Sequence, residues 1–426
     1  MNALDETRAP RPAPRLRLAT LMPAILLGYF VLLWPLVYAR GAVTADLTAG
    51  PMPEAQPYLL NRVFFPAMAV TAILLLVAER RRLARFHPAG LVVVGGLFGY
   101  LGLTALWALA PAASFSKWLL LAMQTLALLP AVLIARRVDD LVRPMFWVMV
   151  ATLGIDLVAV VALPPTPIGH AAIYSHKNTL GGIAVLGGFF ALYGATRGDR
   201  RTRTTALAML PVVLVLLLAS RSKTSLGLFL VVPIAALVVV GLRRLLRFSI
   251  PVVLVVVAVP VVFLLAGGFD GISFQDLSRL VSGDDTFTGR TELWRFVWSQ
   301  IGERPIAGYG YQSFWGIGEA SPAAAMPDGF LQRTPHAHNG YLDLLLQGGI
   351  VAAALFLAAL LMVARWIDRL VDVDLGIGFF VTTVLVYMMA LDLLETDWLQ
   401  GLSGSGMLMS LSILLAAVEW RGRAPT

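Results

Sequence analysis

The stretch PHAHNGYLDLLLQGGIVAAALFLAALLMV, Pro335 to Val363, joins two kinds of chemistry. Two of the chain's five histidines, His336 and His338, sit two residues apart, and a run from Leu342 to Val363, long enough to cross a bilayer, follows at once. Before it lies the longest polar interval of the chain, roughly 268 to 333. A polar cluster at the lip of a membrane span is a site hypothesis.

Outward from this stretch, apolar runs of spanning or near-spanning length recur at about Leu18–Tyr38, Phe64–Val77, Leu91–Leu109, Trp118–Ala135, Met145–Leu163 and Thr179–Leu192. Six more follow at about Ala206–Ala219, Thr224–Leu242, Ile250–Ala266, Leu342–Val363, Ile377–Leu391 and Leu402–Val418. With 58% hydrophobic and 14% charged residues, the chain reads as an all-α integral membrane protein of about 12 transmembrane helices, with one long outer loop carrying short helices. The division expected is a tail at 1–17, spans one to nine over 18–267, the loop with its motif at 268–340, the last three spans over 341–418 and a tail at 419–426. The first tail holds acidic residues and arginines and meets no small-residue cleavage site, so a cytoplasmic tail is expected rather than a signal peptide. The absence of cysteine excludes disulfides, thiol catalysis and thiolate metal sites.

Charge placement tests the span count independently. If the N-terminus is inside, 22 of the 33 basic residues fall in inner segments; five of the others lie in the long loop and six in the short outer connections. A miscounted span would scramble that alternation, so both termini are expected in the cytoplasm. The +8 net charge is then topogenic, and no nucleic-acid partner is expected, because the basic residues are spread over many segments.

This orientation puts the histidine stretch outside, along with Ser175-His176-Lys177-Asn178, Ser220-Arg221-Ser222-Lys223 and the group Asp392, Glu395 and Asp397. Lys177, Arg221 and Lys223 are outer cations that need an explanation: they either converge on a lipid-linked phosphate or snorkel to headgroups. In the loop, Thr288 is a candidate N-cap, and Leu293, Val297 and Ile301 form an apolar stripe expected to lie on the membrane surface. Arg290 in the first turn is expected to bind an anion, with a salt bridge to Asp284 or Asp285 as the alternative. Tyr309, Tyr311, Trp315 and Tyr341 are candidates for stacking on sugars, or for an aromatic belt.

His336 and His338 have three readings. A metal site would need carboxylates such as Asp343 or Glu292 to complete it, and none is expected. The pair could cap the next helix. A general base fits best, with Asn339 orienting it or a substrate oxygen.

The stretch His336-x-His338-Asn339-x-Tyr341-Leu342, preceded by Gly289-Arg290-Thr291-Glu292-x-Trp294 and by Ser220-Arg221-Ser222, resembles the O-antigen ligase and Wzy-type polymerase superfamily. The resemblance implies a C-type membrane glycosyltransferase that moves a glycan from undecaprenyl pyrophosphate to an acceptor hydroxyl at the periplasmic face of the inner membrane, inverting the anomeric centre without metal or other cofactor. It implies that Arg221 and Arg290 bind pyrophosphate, with Lys177 and Lys223 beside them, that His338 is the base, and that His336 and Asn339 support it. The partners implied are the lipid-linked glycan, an acceptor glycan or lipid A-core, membrane lipids and a chain-length regulator. Ser175 to Gly181 resembles exopolysaccharide polymerases, which favours a polymerase over a ligase. A lipid-linked oligosaccharide flippase is the more distant alternative, but it would carry charges inside its spans, where Asp156 stands nearly alone. Gly95 and Gly99 read as close helix packing.

Overall fold

The computed structural model describes residues 14–38, 58–256, 290–326, 329–401 and 403–418. Among them the protein is helical, with only isolated β-bridges at Phe86 with Val418 and at Thr166 with Gly169. Nine helices are long and apolar enough to span a membrane, and two shorter apolar ones accompany them. They are α1 (Leu18–Tyr38), α2 (Leu59–Ala78), α3 (Pro88–Trp107), α4 (Pro111–Ile134), α5 (Asp139–Ala162), α6 (Lys177–Arg197), α7 (Arg200–Ser220), α8 (Lys223–Leu246), α10 (Gly340–Val373), α11 (Leu375–Leu391) and α12 (Gly404–Ala417). A non-spanning helix, α9 (Arg290–Glu303), precedes α10. The expected run from Ile250 is helical over 250–256, and its remainder lies outside the described residues, as do residues 1–13 of the first expected tail, the whole of the second, Thr288 and the pair Asp284 and Asp285; residues 14–17 of the first tail are helical and continue into α1.

Local chemistry explains where the helices stop. Consecutive spans turn on residues that cap the next helix. Asp199 accepts the backbone N–H of Thr202, Ser222 that of Ser225, Asp374 that of Ile377 and Ser403 that of Gly406. The turn between α7 and α8 is only Arg221 and Ser222, with Arg221 in the left-handed conformation at φ +52°. Such short turns force neighbouring helices antiparallel, which gathers alternate helix ends at two faces.

The arginine-rich face is stitched by ion pairs. Arg197 reaches Asp139 at 3.1 Å and Asp374 at 2.6 Å, tying α5, α6 and α11 together. Arg243 pairs with Asp372 and with Asp368 at 3.6 Å, and Arg143 pairs with Asp199. At the other face, the segment that follows α9 meets the ends of α3 and α4: Trp107 Nε1 donates to Ala307 O at 3.1 Å and Ser114 Oγ to Tyr311 O at 2.8 Å.

That segment enters a break in α10. Gly349 adopts φ +61° and ψ −162° inside the helix, a conformation open to glycine because it has no Cβ. The interrupted backbone is satisfied by the segment itself. Tyr309 N–H donates to Leu346 O at 2.7 Å, Gly310 N–H to Gln347 O at 2.9 Å and Ile350 N–H to Pro305 O at 2.9 Å. Irregular backbone within a span is tolerated only where protein covers it, and here residues 305–311 are the cover.

The apolar stripe of α9 faces protein rather than a membrane surface, which corrects the expectation. Leu293, Val297 and Ile301 are buried with Phe314, Leu331, Leu342 and Leu346 in a second core, separate from the core of the bundle. Each fully buried aliphatic side chain contributes about 1.5–3 kcal/mol, enough to fix the helix against the loop's own residues. Gly95 and Gly99 also differ from expectation. Nothing within the described residues lies within 4 Å of a Cβ built at either position.

Candidate active site

Glu395 is the hub. Its Oε2 lies 2.9 Å from His338 Nδ1, and its Oε1 lies 3.4 Å from Arg290 Nη2 and 3.5 Å from Asn178 Nδ2. Three distant parts of the sequence therefore converge on one carboxylate. Gly340 joins two of them: its N–H donates to Asp392 O at 2.7 Å and to Glu395 O at 3.0 Å. A Cβ at position 340 would come within 2.1 Å of Asp392 Oδ1, so only glycine allows this approach. Asp392 in turn accepts the N–H groups of Asp397 at 2.8 Å and Trp398 at 3.1 Å, shaping the turn that presents Glu395.

The five histidines separate into two kinds. His87, His170, His176 and His336 each use Nδ1 to accept the backbone N–H two residues on, those of Ala89, Ala172, Asn178 and His338. His338 alone directs Nδ1 at a carboxylate. An ionised carboxylate is an acceptor only, so Nδ1 carries the proton and the Nε2 lone pair is left available. In His336 the assignment is reversed. Its Nδ1 is an acceptor, so its neutral ring carries a proton on Nε2. His338 is also held at φ +49°, a left-handed backbone that costs on the order of 1–3 kcal/mol for a residue with a Cβ and recurs at functional sites.

Electrostatics agree with this division. Burial alone would raise the Glu395 carboxyl, but the hydrogen bond and charge of His338 and the charge of Arg290 outweigh it and hold the group below its ordinary range. Burial, helped by the charges of His338 and Arg290, lowers His336 to about 3, so that ring is neutral at physiological pH. Burial also lowers His176, against the opposing charge of Glu395. Asp397, buried beside Glu395, is raised to about 6.

The outer cations come from neighbouring turns. Lys177 Nζ donates to Arg221 O at 3.3 Å, which brings the first turn of α6 to the α7–α8 turn. The side chains of Arg221 and Lys223 are exposed, and Lys177, Arg221 and Lys223 make no ion pair among the described residues. Arg290 is paired with Glu395; the aspartates considered from sequence lie outside the described residues.

Other expected residues are placed differently. Asn339 caps α10, accepting from Tyr341 N and Leu342 N at 3.1 Å, and its Nδ2 donates to Leu393 O at 3.2 Å. Its amide holds the scaffold and does not orient His338. Tyr309 and Tyr311 are 3% and 1% exposed, with hydroxyls donating to Gln300 O at 3.0 Å and Leu399 O at 2.5 Å. They pin the segment that covers the break in α10, so the expectation that they stack on glycan is corrected. Tyr341 packs edge-on against Trp398 and donates to Met389 O at 3.2 Å. Trp315 faces a cavity, with its Nε1 donating to Asp343 at 2.7 Å.

The metal reading also acquires a definite shape. Ligand atoms of His336, His338 and Glu395 lie within 4.8 Å of one another, a three-ligand set of the kind a catalytic zinc site uses. Asp343 is instead satisfied by Trp315, Ala337 and Thr396. Glu395 was visible in the sequence only as one member of an acidic group, and its pairing with His338 spans 57 residues.

Comparison with known proteins bears on this arrangement. The O-antigen ligase family model matches residues 204–357, which includes Arg221, Arg290 and the histidine stretch. Over that stretch the chain is similar to the O-antigen ligase family. No curated protein matches the chain.

Proposed function

On a chain that carries an O-antigen ligase-type domain, we propose that this site transfers a glycan from undecaprenyl pyrophosphate to an acceptor hydroxyl at the periplasmic face of the inner membrane, without metal. The observation that carries the reading is the His338 Nδ1 to Glu395 Oε2 contact of 2.9 Å, with Arg290 against the same carboxylate. Glu395 fixes the tautomer of His338 and stabilises the imidazolium that forms. The acceptor oxygen then bonds to the anomeric carbon as its proton passes to His338 Nε2. The bond from that carbon to the pyrophosphate oxygen breaks, and undecaprenyl pyrophosphate leaves as an anion. Arg221, Lys177 and Lys223, which make no ion pair with a carboxylate among the described residues, suit that anion, and Arg290 shares the carboxylate that holds the base.

We favour a polymerase that joins repeat units on the lipid carrier, because Asn178 of the polymerase-like stretch reaches Glu395. The ligase reading, with lipid A-core as acceptor, shares the same chemistry. Glycan profiles of a cell lacking the protein distinguish them: single repeats on the lipid carrier mark a polymerase, and long unattached chains beside bare lipid A-core mark a ligase. Complementation by wild type but not by His338→Ala is expected. Normal profiles in the deleted cell would count against any transferase.

The three-ligand set favours one second reading, a metal-assisted transferase. Loss of wild-type transfer in a chelator would select it.

A further inference from the structure

A cavity of about 330 Å³ has His336 in its lining, whereas Lys177, Arg221, Lys223 and Arg290 do not line it. His336 brings the cavity next to the base, its ring centroid 4.2 Å from that of His338. Gln347 and Gln400 line the cavity with Trp315, Asp397 and Lys117. Gln347 lies seven residues into α10, about 10 Å along the helix from Gly340, so the cavity descends beside the span.

Its polar groups differ from those of the cationic side. The side-chain amide of Gln347 makes no hydrogen bond among the described residues, although the residue is only 7% exposed. Gln400 accepts from Gln312 Nε2 at 2.6 Å, which leaves its own amide N–H groups for another partner. His336 adds an Nε2–H, since its Nδ1 is occupied. The carboxylates Asp343 and Asp397 outnumber the one ammonium, Lys117, whose Nζ donates to Gln312 O at 2.7 Å. A phosphate would be repelled by two acidic side chains. A polyhydroxyl ligand would not: amides donate and accept, carboxylates accept from hydroxyls, and an indole supplies apolar area for the C–H groups of a sugar ring. The volume is at the low end for small-molecule sites and holds on the order of one or two sugar residues.

We infer that this cavity binds the sugar that carries the attacking hydroxyl, with Gln347 and Gln400 as its specificity-determining residues and His336 donating to it from the wall. The assignment rests on the transferase reading, because the attacking hydroxyl must reach His338, whose ring lies 4.2 Å from that of His336 in the cavity wall. It adds that the acceptor is recognised through hydroxyl groups rather than charge.

Because the chain has no cysteine, a single Gln400→Cys makes the cavity its own reporter. The purified full-length variant is labelled with a small methanethiosulfonate reagent in three conditions: alone, with the repeat oligosaccharide freed from its lipid by mild acid, and with inorganic pyrophosphate. The oligosaccharide should slow labelling at least fivefold and pyrophosphate should leave it unchanged; adding Gln347→Leu should abolish the protection. Protection by pyrophosphate, or by neither probe, overturns the assignment. The readout needs no turnover, so it is separable from the fate of the transferase reading: adding His338→Ala should leave protection intact while transfer is lost. Protection that disappears with His338→Ala would place the sugar elsewhere and also overturn the assignment.

Discussion

Arginine and lysine stand at both faces of the helical bundle, but in different company. On one face, Arg143, Arg197 and Arg243 pair with Asp199, Asp139, Asp374, Asp368 and Asp372, and the pairs tie helices together. On the other, Lys177, Arg221 and Lys223 have no carboxylate partner among the described residues, while the one cation that does, Arg290, shares its carboxylate with a histidine. The same residue types thus serve as fasteners where acids accompany them and as a candidate anion site where acids do not. Cations on the first face should matter for stability, and cations and their neighbours on the second for turnover.

The largest effect should come from His338→Ala, which removes the proposed general base. Transfer should fall by about 10²- to 10⁴-fold with insertion and melting temperature retained. Rates near wild type in this variant would remove His338 from the chemistry. Glu395→Gln should follow, at ~10²-fold or more, because a neutral amide no longer selects the Nδ1–H tautomer. Next, Arg221→Ala should weaken donor use by ~10- to 100-fold, the worth of a charge-assisted hydrogen bond to phosphate, without lowering stability. If Arg221→Ala unfolds the protein instead, the contrast between the faces is wrong at that residue.

Arg197→Ala should show the opposite pattern: a lower melting temperature and lower yield, with turnover per folded molecule close to wild type. It leaves Asp139 and Asp374 unpaired, and the half-exposed setting keeps the cost to about 1–3 kcal/mol, below that of a fully buried pair. The smallest effect concerns pH. The Asp397 carboxyl is raised from 3.8 to about 6 by burial, so the folded protein binds that proton more tightly than the unfolded chain. Its contribution to stability is present below about pH 4 and is lost as pH rises through about 6. Melting temperatures in detergent should fall across that window in wild type and fall less in Asp397→Asn; an identical slope in both would assign the limb to another group.

Much of this contrast was legible in the sequence, for physical reasons. Apolar runs and arginine asymmetry are one-dimensional signals, and eleven of the twelve expected runs overlap described helices, whose ends differ from them by as much as ten residues, as at Val363 against Val373. The site was half legible. Arg290 and His338 were marked by their chemistry and position, but their meeting point was not, because Glu395 reaches His338 across 57 residues and Arg290 across 105. The aromatic residues misled for a related reason. Tyr309 and Tyr311 sit in a polar interval and look exposed, yet that interval fills the break at Gly349, and no local pattern announces that a loop will be buried. Asn339 carried a third ambiguity, since a residue that can orient a base is equally a good N-cap.

The most direct test of the account is glycan transfer by the purified protein in liposomes, from undecaprenyl-pyrophosphate-linked glycan, comparing wild type with Glu395→Gln in the presence and absence of EDTA. The account predicts equal wild-type rates with and without the chelator and at least a ~10²-fold slower rate in Glu395→Gln with donor binding retained. Wild-type transfer abolished by EDTA, or undiminished transfer by Glu395→Gln, would contradict it.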